Sequence, residues 1–286
     1  MLRTGYAAVG TSATFRALQS AGNRVATRNT FSPQTNQLSP LIISEAAPRK
    51  SREAQCSIGR KMSEAKLYRF AVPNSDEVSA LLLRPPDAAW LLVLGHGAGA
   101  GMRHPFLESI SRELASVGIA TFRYQFSYME QKRRLSDPQA ILTASVRAAV
   151  EKAREIARDL PLLAGGKSMG GRMTSLAAAE QPLEGVRGLV FLGFPLHPPD
   201  RPSTKRAAHL ADVNVPMLFL QGTPDTLTDL NLLRPICERL GPQATLKVFE
   251  TADHSLHVLK RSGKSDVEIV RDLAAATRSW ADGLPS

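Results

Sequence analysis

The stretch LPLLAGGKSMGGR, residues 160–172, decides how this chain is to be understood. Its centre, Gly166-Lys167-Ser168, has the ending of a phosphate-binding loop. Its frame, Gly166-x-Ser168-x-Gly170, has the turn that presents a nucleophilic serine. Spacing separates the two. A Walker loop needs a glycine five positions before the final Gly-Lys-Ser, so that successive backbone N–H groups wrap the phosphates. That position is Pro161, with a fixed φ and no N–H. A serine turn needs small residues two before and two after the serine, because the chain reverses sharply there. Gly166 and Gly170 meet that need. A five-residue match is weak alone, so the flanking sequence must supply the partners of the serine.

The chain has 286 residues, 43% hydrophobic and 22% charged, ample for one sizeable soluble core. A net charge of +10 suggests nucleic acid, but the charge is unevenly placed. Residues 1–61 hold nine Lys/Arg against two acidic residues, Glu45 and Glu53; the remainder holds 27 against 24. The part that folds is nearly balanced, so no nucleic-acid partner is expected. Cys56 and Cys237 lie far apart in no ligand spacing, which fits a reducing compartment and no disulfide framework. No apolar run has the length of a membrane span, so no membrane association is expected.

Residues 1–61 differ in kind. No Asp or Glu occurs before Glu45, while Arg3, Arg16, Arg24 and Arg28 stand among many Ser and Thr. This is the composition of an organelle transit peptide; a disordered tail, or sequence upstream of a start at Met62, are the alternatives. The expected division is a disordered extension over 1–61 and one folded domain over 62–286. The expected location is cytoplasmic, or mitochondrial or another organelle if the extension is a transit peptide.

From residue 67 onward, short apolar runs alternate with helical periods. Residues 67–72 and 78–83 flank the turn-rich Pro73-Asn74-Ser75-Asp76 and predict a hairpin. Residues 90–94 form an apolar run ending in Gly95-His96-Gly97, a strand buried on both faces. Pro105 opens a helix whose apolar face carries Phe106, Ile110, Leu114 and Val117, and Gly118 stops it. Further strands are predicted at 119–124, 160–164, 188–192, 215–220 and 245–249. Helices are predicted after Asp137-Pro138, over 169–179, up to Gly241 with an interruption at Pro235, and after the capping box Ser265-x-x-Glu268. Such alternation predicts a mostly parallel sheet flanked by helices, with function at the carboxyl ends of the strands.

Three predicted strand ends carry the residue types of acyl transfer. Ser168 follows 160–164, Asp225 follows 215–220 and His254 follows 245–249. A serine hydroxyl needs a histidine to take its proton, and a carboxylate to hold the imidazole in the right tautomer. Asp229 and His257 are the rivals within reach: Asp229 is placed to start a helix, and His257 falls three residues further on. The tetrahedral oxyanion needs preplaced donors. These would be the N–H of Met169, at the start of its helix, and one from His96-Gly97-Ala98-Gly99, with Ala98 first and Gly99 next. Lys167 is taken as the residue that fills the variable position before the nucleophile.

Residues 66–283 resemble the α/β-hydrolase superfamily, in the branch of the dienelactone hydrolases. His-Gly-Ala-Gly at 96–99 and Ser-Met-Gly-Gly-Arg at 168–172 are similar to a group of small hydrolases related to subunit 3 of the NSL histone-acetyltransferase complex. The resemblance implies a Ser-His-Asp serine hydrolase that cleaves a small ester, thioester or lactone without a cofactor. Its chromatin relatives are regulatory subunits, which implies the alternative of a non-catalytic interaction scaffold. His96, Arg103, Arg123 and Tyr124 are expected on the pocket rim, His96 supporting the oxyanion turn and the arginines either solvated or facing a substrate carboxylate. The His96/His104 and His254/His257 pairs have no third ligand nearby, so no metal is expected. Only residues 193–214 separate two of the predicted strands, too few for a lid domain. The oligomeric state is not legible.

Overall fold

A computed structural model describes residues 64–285. The transit-peptide, tail and alternative-start readings of residues 1–61, and Cys56, lie outside that range. Eight strands form one sheet in the order β1-β2-β4-β3-β5-β6-β7-β8. These are β1 (Lys66–Phe70), β2 (Val78–Leu83), β3 (Trp90–Gly95), β4 (Ile119–Tyr124), β5 (Leu162–Lys167), β6 (Val186–Leu192), β7 (Met217–Thr223) and β8 (Ala244–Glu250). The β1–β2 and β2–β4 pairs are antiparallel, and every later pairing is parallel. Among the described residues no helix is long and apolar enough to cross a membrane.

The apolar runs become strands because both of their faces are covered. On β3, Leu91 and Val93 join one core while Leu92 and Leu94 join the other; on β5, Leu162 and Ala164 oppose Leu163. Helices α1 (Pro105–Ser116) and α6 (Asp266–Asp282) cover the second face. Helices α3 (Gln139–Ile156), α4 (Met169–Glu180) and α5 (Leu230–Leu240) cover the first, and a short α2 spans Ser127–Glu130. The capping box forms: Ser265 Oγ accepts from Glu268 N–H while the Glu268 carboxylate accepts from Ser265 N–H. Asp229 caps α5, accepting from Asn231 N–H at 2.8 Å.

Three of the differences from expectation concern glycine and proline. Strand β5 starts two residues late and runs through Gly165 and Gly166 to Lys167, because those glycines pair with β3 and β6 instead of opening the turn. Strand β7 begins after Pro216, which cannot donate to a ladder. Pro235 does not interrupt α5. Pro235 and Asn231, whose carbonyl loses its helical partner, are both exposed, while Leu233, Ile236 and Cys237 stay buried. Between β6 and β7 the chain makes a Pro-rich loop and a 3₁₀ helix, Lys205–Asp212, that packs through Ala207 and Leu210 into the same core as α3, α4 and α5. No lid domain is present in this connection.

Candidate active site

Ser168 sits between β5 and α4 with φ 49° and ψ −113°. A non-glycine residue pays for positive φ, and this turn tolerates it only because its flanks are close-packed. A Cβ on Gly166 would lie 2.6 Å from the Gly95 carbonyl oxygen, and one on Gly170 would lie 2.4 Å from the same atom. The two glycines of the motif therefore let α4 start directly against β3. Ser168 occupies the N-cap position, where a serine hydroxyl normally accepts from the helix, yet its side chain makes no cap hydrogen bond. The hydroxyl is turned instead toward His254, with Oγ 2.8 Å from Nε2.

His254 follows β8 and lies 2.8 Å through Nδ1 from Asp225 Oδ2. A carboxylate only accepts, so the neutral ring carries its hydrogen on Nδ1 and offers Nε2 to the Ser168 hydroxyl. Asp225 is fully buried at its side chain, whereas His254 is 19% exposed. The buried carboxylate is saturated: Oδ1 accepts from Leu227 N–H at 2.7 Å and Oδ2 also accepts from Gln221 Nε2. Gln221 Oε1 in turn accepts from Phe194 N–H at 3.0 Å, which ties the end of β6 to the turn that holds Asp225. The rivals are engaged elsewhere. Asp229 caps α5, and the exposed His257 pairs with Asp266 at 2.7 Å, which raises its pKa.

Of the expected oxyanion donors, Met169 N–H is the first amide of α4 and has no intrahelical acceptor. Ala98 is exposed on the loop after β3. Gly99 is not free to serve, because its N–H donates to the Tyr128 hydroxyl at 2.9 Å. Tyr128 was not singled out in the sequence; it lies on α2, whose four residues carry no periodicity.

The expected rim falls elsewhere. His96 and Tyr124 have no exposed surface, because side chains at the end of β3 and β4 turn into the core. His96 Nε2 accepts from Phe126 N–H at 3.1 Å, and Nδ1 donates to the Gly97 carbonyl at 2.7 Å, so the imidazole braces the loop as a neutral ring. Arg123 points to the α1 face, 5% exposed at its side chain, donating to the Met102 carbonyl at 3.2 Å with Glu108 3.8 Å away. Arg103 and Arg123 line a cavity of about 400 Å³ with Arg112, Glu108 and Leu81, and no triad residue lines it. No group of three or more His, Cys, Asp or Glu could hold a metal among the described residues.

Burial pulls the His96 pKa down to about 4. A ring whose folded pKa is depressed binds its proton later than the unfolded chain does, so stability is present above about 6.5 and is lost as pH falls toward 4. The expected loss is on the order of 3 kcal/mol by pH 4. Urea midpoints at pH 7 and pH 4.5 check it: His96→Gln should lose clearly less stability on acidification than wild type, and equal losses would refute the assignment.

Residues 88–282 match the family model of the alpha/beta hydrolase domain, and the chain belongs to that family. Solved structures support the fold. A dienelactone hydrolase from Anabaena variabilis ATCC 29413 superposes with a TM-score of 0.61 at 19% identity, over 78% of this chain and 100% of its own. A Xanthomonas campestris protein, described as an α/β serine hydrolase without lid, gives 0.60 at 22% identity, over 78% of this chain and 97% of its own. The esterase domain of a Rhodothermus marinus protein gives 0.59 at 17% identity, over 78% and 99%.

Proposed function

We propose that the protein is a serine hydrolase of small acyl compounds, in which Ser168, His254 and Asp225 act as a triad without a cofactor. The observation that carries this reading is the continuous chain Ser168 Oγ–His254 Nε2 and His254 Nδ1–Asp225 Oδ2, each 2.8 Å long. His254 takes the Ser168 proton as Oγ attacks the acyl carbon, and Asp225 stabilises the imidazolium that forms. Met169 N–H, with Ala98 N–H as its partner, donates to the developing oxyanion. His254 then returns the proton to the departing alcohol or thiol, and a water activated in the same way releases the acyl group.

The site's surroundings support a small substrate. The connection between β6 and β7 holds only a loop and the 3₁₀ helix Lys205–Asp212, which favours a small acyl group over a long chain. The reading is supported by the esterase and dienelactone hydrolase named among the structural neighbours. Activity on p-nitrophenyl esters should be greatest for acetyl to butyryl chains and fall at least tenfold in kcat/KM by twelve carbons, about the discrimination available to an apolar pocket. A preference for triacylglycerols over short esters would contradict it.

A further inference from the structure

Lys167, the residue before the nucleophile, is built into the site. Side chains alternate along a strand, so Leu163, Gly165 and Lys167 share the face of β5 that looks toward α6 and the loop after β8. The Lys167 stem passes Gly97, where an added Cβ would lie 3.8 Å from its Cγ. Its Nζ donates to the main-chain carbonyl of His254 at 2.6 Å. The slot is tight: Gly193 has φ +71°, and a Cβ there would lie 3.2 Å from both Nζ and that carbonyl oxygen. No other side chain among the described residues hydrogen-bonds the His254 main chain.

Two features make this contact matter to the triad. The loop that carries His254 holds Thr251 at φ 67° and Leu256 at φ 63°, conformations that cost free energy and need external support. Asp225 is fully buried, and although its carboxylate accepts three hydrogen bonds, its only ion-pair partner among the described residues is His254. Buried charge is costly unless paired. Lys167 has the His254 carbonyl as its direct contact, and the Asp225 and Asp253 carboxylates, beyond ion-pair distance, both favour its charged form.

We propose that Lys167 is a positioning residue of this hydrolase, whose ammonium group fixes the backbone of His254 and balances the charge of Asp225. The inference rests on the triad reading above. Burial lowers the Lys167 pKa to about 8, so the cation is lost as pH rises through that value and activity falls with it.

The test compares wild type, Lys167→Met and Lys167→Arg in hydrolysis of p-nitrophenyl acetate from pH 6 to 10, with fluorophosphonate labelling rates alongside. Lys167→Met should lower kcat roughly 10- to 100-fold with little change in KM, as expected when a reacting group is slightly misplaced. Lys167→Arg, which keeps its charge throughout, should recover much of kcat and lose the fall near pH 8. A Met variant that labels at the wild-type rate with an unchanged pH profile would overturn the inference alone. If the Met variant does not fold, an Arg variant with the wild-type alkaline fall overturns it. Folded wild type that never labels overturns the triad reading, and this inference with it.

Discussion

Ser168→Ala is expected to lower kcat for a short aryl ester by about five to six orders of magnitude, the loss seen when a triad nucleophile is removed. KM should move little, because the hydroxyl contributes to bond making and not to holding the acyl group. The fold should survive. The close contacts that define the turn belong to Gly166 and Gly170, and the Ser168 hydroxyl caps nothing, so alanine inherits the same φ and the same packing. The check is kcat on the purified variant beside a melting curve. A loss under tenfold with an unchanged melting point would place the nucleophile elsewhere.

Asp225→Asn should cost about 10⁴-fold in kcat. The carboxylate accepts three hydrogen bonds, from His254 Nδ1–H, Gln221 Nε2 and Leu227 N–H. An amide brings two donors into a site built of donors. If its nitrogen replaces Oδ2, it meets Gln221 and turns His254 to the tautomer protonated on Nε2, which cannot take the serine proton. If its nitrogen replaces Oδ1, it meets Leu227 N–H, and the turn is left with a buried conflict. Measured kcat/KM within tenfold of wild type would mean that His254 is oriented without Asp225.

Much of this arrangement was legible in the sequence because both of its codes are local. Apolar runs such as 90–94 announce strands covered on two faces, and Ser168, Asp225 and His254 each fall at the carboxyl end of such a run. The capping roles of Asp229 and Ser265 follow from residue type and spacing. What escaped was the direction of side chains across the sheet. Arg123 and Tyr124 are adjacent in sequence, yet one turns to the α1 face and the other into the opposite core, and neither reaches the serine. Gly99 was lost as a donor to Tyr128, a residue 29 positions away on a helix of a single turn. The motif says nothing of Lys167, because its position there has no required type. Its partner, the carbonyl of His254, lies 87 residues on, and only the packing of β5 against the β8 loop reveals it. Strand alternation counted from Leu163 to Lys167 was the one signal that pointed there.

In the proposed mechanism Ser168 is a nucleophile activated by His254. The most direct measurement is mass spectrometry of the folded protein after treatment with a fluorophosphonate. One covalent adduct per chain is expected, mapped to the peptide carrying Ser168 and absent from Ser168→Ala. A folded wild type that forms no adduct, or forms it on another residue, would contradict the account and favour a scaffold that keeps the hydrolase fold without its chemistry.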